Sequence, residues 1–160
     1  MWHILLECRH SPRKVIWRKV KQLWPHGQRR WPNIMIGTIM GIGSMNLQNE
    51  NPAENVRNTR LTKTKSQTRL FQILVSEASH LIWVLHCERV IHGTKHTIHE
   101  IEARWNRKLN DRLTIDRITA TKIIHDRNYI KLVDTTWKKA LKRQGIPHED
   151  WLQHLEVFSG

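Results

Sequence analysis

Apolar residues recur on a helical period through the middle of the chain. Leu70, Leu74, Ala78, Leu81 and Leu85 stand at i, i+4, i+8, i+11 and i+15, which predicts a helix over residues 69–91. Phe71, Val75 and Ile82 widen the stripe, so neighbours must cover most of that helix. Each Leu or Phe buried is worth about 1.5–3 kcal/mol, which makes this stripe the expected centre of the core. Thr97-Ile-His-Glu100 then reads as a capping box, in which hydroxyl and carboxylate each meet an amide left unpaired at a helix start. Ile98, Ile101, Trp105 and Leu109 form the apolar stripe behind it. Thr114 reads as a second cap, ahead of Ile115, Ile118, Ile123 and Ile124. A last helix is predicted over residues 130–143, with Leu132, Val133, Trp137 and Leu141 inward and Gly145 and Pro147 as its stop.

Nearer the amino terminus the elements are shorter. Ser11 and Pro12 match an N-cap with proline at the first helical position. Val15, Ile16, Val20, Leu23 and Trp24 follow on helical spacing, and Pro25 with Gly27 ends the run. The other face of this helix carries Arg13, Lys14, Arg18 and Lys21. Residues 33–45 suit a short apolar helix weakened by Gly37, Gly41 and Gly43. Residues 46–67 are polar without a period and read as a flexible linker. The expected fold is an all-α small helical bundle with a basic N-terminal helix and a flexible polar linker. Its parts are a basic segment over 1–31, a spacer and linker over 32–68, a helical core over 69–143 and a tail over 144–160.

Composition sharpens this picture. Hydrophobic residues make up 39% of the 160, below the roughly 45–50% usual in globular domains, so part of the chain is expected to stand outside the core. Eight tryptophans argue against full disorder. The net charge of +13 favours a polyanionic partner, because cations on phosphates release condensed counterions. That charge lies toward the front: residues 1–31 hold eight Lys and Arg against Glu7 alone, whereas residues 70–160 hold fourteen bases and eleven acids. Cys8 and Cys87 are too few for a disulfide framework. No apolar stretch approaches the roughly 20 residues of a membrane span, and the opening MWHILLECRH does not suit a signal peptide. The expected location is intracellular, nuclear or cytoplasmic, with no membrane partner.

Charge and patterning single out Arg13, Lys14, Arg18, Lys21, Arg29 and Arg30 as candidate contacts for nucleic-acid phosphates, made without sequence preference. Trp17, Trp24 and Trp31 interleave with these cations and could stack on unpaired bases. The favoured reading makes Trp17 and Trp24, seven residues apart, two core positions on one face of an amphipathic helix. Catalytic candidates are weak, and no enzyme activity, cofactor or small-molecule substrate is expected. Glu77 and Glu88 are expected to pair with Arg69, Arg89 or His80. Asp111, Asp116, Asp126 and Asp134 alternate with bases or sit at helix ends, as solvated charge does. Ser76, Ser79 and His80 lack an orienting third group, and the glycines lack the Lys-Ser/Thr of a phosphate loop. His92, His96 and His99 are read as capping or solvated, with His92 and His96 in the connection before the Thr97 helix.

The runs RLFQILVSEASHLIWVLHCERVI, HTIHEIEARWNRKLNDRLTIDRITATKI and KLVDTTWKKAL resemble the carboxy-terminal region of fungal retroelement-derived ribonuclease H and reverse transcriptase-like proteins. In those proteins the region follows a ribonuclease H-like domain and a zinc-binding segment, to whose end HILLEC is similar. The resemblance implies a truncated tail without the catalytic domains. It also matches His3 and Cys8 to the last two of four zinc ligands, an incomplete remnant, so no metal is expected. Two other readings stay open: a helical protein–protein interaction module, and a relic with no selected function.

Overall fold

The computed structural model describes residues 2–8, 12–25, 31–47, 57–123 and 125–145, with backbone alone at Trp2, residues 57–63 and Arg143. Among them are six α-helices and no strand: α1 Trp2–Leu6, α2 Arg13–Leu23, α3 Ile36–Met40, α4 Arg57–His92, α5 Ile98–Lys122 and α6 Arg127–Arg143. A 3-10 turn, Ile42–Ser44, follows α3. The fold is a small all-α bundle, as the apolar periods predict.

α4 is its axis. Leu70, Phe71, Leu74, Val75, Ala78, Leu81, Ile82 and Leu85 are all buried, because α1, α2, α5 and α6 each pack along this one helix. The segment Thr64–His92 is long and apolar enough to cross a membrane by length and composition, which the sequence reading did not expect. In the bundle, 56% of its apolar window is buried, so neighbouring helices cover the surface that makes it apolar.

The linker expected over 46–67 is corrected from Arg57 onward; residues 48–56 lie outside the described residues. α4 begins at Arg57, and from there to His92 the chain holds neither Gly nor Pro. Once the apolar stripe has nucleated the helix, each polar residue added to its amino end gains a backbone hydrogen bond at little cost. Tertiary contacts hold α4 from Ser66 onward. Ser66 and Thr68 are buried, and the Leu47 amide donates to Thr68 Oγ1 at 3.1 Å. Gln72 Nε2 donates to the Met45 carbonyl at 3.0 Å, which docks the α3 segment on α4. The core also extends past residues 69–143: Leu5, Ile16, Val20, Leu23 and Trp24 belong to the same cluster as Leu70 and Trp137.

α5 starts at the predicted box, with the Thr97 amide donating to Glu100 Oε2 at 2.7 Å and the Glu100 amide to Thr97 Oγ1 at 3.2 Å. It then runs unbroken to Lys122, so Thr114 is an interior residue and not a cap. One continuous helix has one inward face, and here that face is Ile101, Trp105, Leu109, Leu113, Asp116 and Ala120. Ile115 and Ile118 are turned away from it, while Ile98 and Ile123 lie at its two ends; all four are exposed. α6 begins three residues before the expected start, because Asp126 Oδ1 accepts from the Asn128 and Tyr129 amides at 3.0 and 3.1 Å. Val133, Thr136, Trp137, Ala140 and Leu141 are its buried positions, Leu132 being only half-buried, and Gly145, at φ +71°, ends it in a conformation that other residues rarely adopt.

Asp116 is the largest departure from the expected solvated charge. It occupies the inward register of α5 and is only 1% exposed. Its Oδ1 accepts from Arg69 Nη2 on α4 at 2.7 Å, and its Oδ2 accepts from the Trp137 indole N–H on α6, also at 2.7 Å. Arg112 Nη2 stands 3.7 Å from Oδ1. A buried carboxylate is tolerated when a cation and hydrogen bonds replace its water, and here one carboxylate ties three helices together.

Candidate nucleic-acid interface

The Pro12 carbonyl opens α2 by accepting from the Val15 and Ile16 amides at 3.1 and 3.2 Å; Ser11, the expected cap, lies outside the described residues. Burial of Ile16, Val20 and Leu23 fixes the helix's rotation, and Lys14, Arg18 and Lys21 are left exposed on the opposite side. No acid lies on the helix, so three cations at i, i+4 and i+7 form a face that can meet successive phosphates.

Arg13 does not belong to that face. Its Nε donates to the Cys8 carbonyl at 3.0 Å and its Nη2 to the Glu7 carbonyl at 3.1 Å, so it docks the end of α1 onto α2. Arg29 and Arg30 lie outside the described residues. Arg18 Nη2 approaches Glu102 Oε1 of α5 at 3.2 Å, and Lys19 approaches the other oxygen at 3.3 Å. Exposed pairs of this kind are worth about 0–1 kcal/mol, so Arg18 can exchange Glu102 for a phosphate while Lys19 keeps the carboxylate paired.

The tryptophans resolve toward packing. Trp24 is 3% exposed and meets Trp31 edge-on at 5.4 Å and Phe71 at 5.9 Å between ring centroids. Trp31 is half-buried against Phe71 at 5.2 Å, and Trp17 donates its indole N–H to the Leu5 carbonyl at 3.0 Å. Their rings belong to the core and its margin, where apolar area is worth more than it is in water.

A second basic element went unread. Residues 127–143 hold Arg127, Lys131, Lys138, Lys139, Lys142 and Arg143 against Asp134 alone. Lys131, Lys138 and Lys142 are exposed on the side away from Val133 and Trp137. Averaging charge over residues 70–160 hid this helix behind the acids of α5; counting charge element by element exposes it.

His3 is exposed, with Nδ1 3.7 Å from Glu7 Oε2, and Cys8 is a half-buried free thiol. Among the described residues, no three His, Cys, Asp or Glu side chains converge as a metal site. His92 is the last residue of α4, not part of the connection, whereas His96 does lie in it. Glu88 binds neither Arg69, Arg89 nor His80 in the expected way. It accepts from Arg104 Nη1 and Nη2 at 2.6 and 2.8 Å, and His96 Nε2 is 2.7 Å away. The Arg104 hydrogen bonds, foremost, hold the Glu88 carboxyl below the usual carboxylate range against an opposing push from burial. No protein-family model, curated protein or solved structure matches the chain.

Proposed function

We propose that the chain is a non-catalytic helical protein that associates with nucleic acid by holding phosphates on the exposed face of α2. The observation that carries this reading is the trio Lys14, Arg18 and Lys21, exposed on a helix without an acid. The +13 charge and the basic outer side of α6 favour the same class of partner. So does the likeness of its helical runs to retroelement-derived tails. Phosphate contacts position a protein without reading bases, so sequence preference is slight.

Titration of a labelled single strand and a labelled duplex at several salt concentrations tests this. Affinity falls with salt by about 0.7–0.9 log units per log unit for each phosphate neutralised. The triple variant Lys14→Gln, Arg18→Gln, Lys21→Gln flattens that slope by about two to three units. An unchanged slope and affinity would remove α2 as the contact, and Lys138→Gln with Lys142→Gln then tests α6. A protein–protein interaction module is the second reading, favoured by Ile115 and Ile118, which are 53% and 44% exposed on the outer side of α5. A saturable protein partner lost on Ile118→Glu would put it first.

A further inference from the structure

We propose that the cleft between α4, α5 and α6 binds a phosphate ester of nucleotide size. The cleft measures about 500 Å³, within the roughly 300–1,000 Å³ of small-molecule sites and far more than a lone phosphate fills. Lys65 and Arg69 of α4 and Arg112 of α5 bring three cations to its lining, where Glu77 is the one carboxylate among the described residues. Asp116, outside the lining, already pairs with Arg69 at 2.7 Å and with Arg112 at 3.7 Å and accepts from Trp137, so part of this positive charge is compensated. Its hold on Arg69 Nη2 fixes the guanidinium plane before any ligand arrives, which lowers the entropic cost of binding.

Two further donors point to an anion. Arg69 Nη1 and Arg112 Nε are buried without a hydrogen-bond partner among the described residues, and both belong to side chains of this one cleft. Both atoms are closed to solvent, so a phosphate meets the two guanidinium groups at their exposed edges, in the planar geometry that arginine prefers, and pairs these donors once the side chains shift. A bare oxyanion would leave the rest of the volume unused. Ile73 and Leu132 give the lining an apolar side suited to a base, and the exposed Ser76 provides a hydroxyl for a sugar. None of Lys14, Arg18 or Lys21 lines the cleft, so this inference is independent of the α2 face.

Calorimetric titration of the full chain with uridine 5′-monophosphate, uridine, inorganic phosphate and a short oligouridylate provides the test. The monophosphate binds one to one, and more tightly than uridine or phosphate. Arg112→Gln and Lys65→Gln each weaken it roughly tenfold, the loss of one charge-assisted hydrogen bond. Ser76→Trp fills the cleft while leaving every cation in place, and it abolishes binding with an unchanged circular dichroism spectrum. The α2 triple variant binds the monophosphate as the parent does, so failure of the α2 reading leaves this result distinguishable. Tighter binding of the oligouridylate, lost in Ser76→Trp, assigns the ligand to a strand; equal binding assigns it to a free nucleotide. Monophosphate heats that are absent, or identical in parent and Ser76→Trp, overturn the proposal.

Discussion

Asp116 stands at an inward position of α5 where its neighbours along the face are Leu113 and Ala120. Removing the carboxylate strands the Arg69 guanidinium, whose side chain is 17% exposed, and deprives the Trp137 indole of its acceptor. Breaking a buried pair from one side costs about 3–5 kcal/mol, because the remaining charge cannot recover its water. Asp116→Ala is therefore expected to lower the urea midpoint by that equivalent at an unchanged m-value. Asp111→Ala, on an exposed position of the same helix, is expected to change it by less than about 0.5 kcal/mol. Equal midpoints for the two variants would mean that the Arg69–Asp116–Trp137 cluster does not hold the helices together.

At the scale of elements, the α4–α5 corner combines a backbone device with an electrostatic one. Gly93, at φ +67°, lets the chain leave α4, and the Thr94 amide reaches back to the Glu88 carbonyl at 3.3 Å. The Glu88 side chain then clamps Arg104 on α5 and His96 in the connection. Since the folded Glu88 titrates below its unfolded value of about 4.3, its stabilising contribution is complete above that value. The contribution is lost as pH falls through the lowered folded value. Denaturation of parent and Glu88→Gln at stepped pH is expected to show a stability gap at pH 7 that closes in the acid range; a gap independent of pH would rule out the clamp. On the other side of the hairpin, Leu81 is 2% exposed in the centre of the α4 stripe. Leu81→Ala is expected to cost about 2–5 kcal/mol in thermal or chemical melts, as core truncations do.

For the molecule as a whole, the question is whether α2 is an appendage or part of the bundle. Ile16 and Val20 are fully buried in the cluster that contains Leu74, Trp105 and Trp137. Ile16→Ala is therefore expected to shift the entire transition by about 2–5 kcal/mol, with far-ultraviolet dichroism and tryptophan fluorescence melting together. Separate transitions for the two signals would make α2 an independent unit. The same coupling gives the basic face its geometry, since burial of Ile16, Val20 and Leu23 sets the side of α2 on which Lys14, Arg18 and Lys21 stand.

Much of the bundle could be read along the chain because its causes are local. The α4 stripe, the Thr97–Glu100 box and the run from Ile16 to Trp24 each need only a helical period or a cap, both defined within a few residues. The cations of α2 were legible for the same reason, as a helix with one apolar face has its other face assigned. The rest depended on partners distant in sequence. Ser66, Gln67 and Thr68 are polar yet belong to α4, where Leu47 donates to Thr68 and where Pro25 and α6 share a small cavity with Ser66 and Gln67. Ile115 and Ile118 are apolar yet exposed, because α5 has a single inward face and Trp105 and Leu109 already define it. Asp116 is buried because Arg69, 47 residues away, replaces its water. Arg13 is withdrawn from the basic face by two carbonyls at the end of α1. Local sequence thus determined where helices form and which of their sides are apolar. Only the packing of α4 against α5 and α6 decided which charges are neutralised inside, because the free energy of a buried charge depends on partners that the chain brings together from afar.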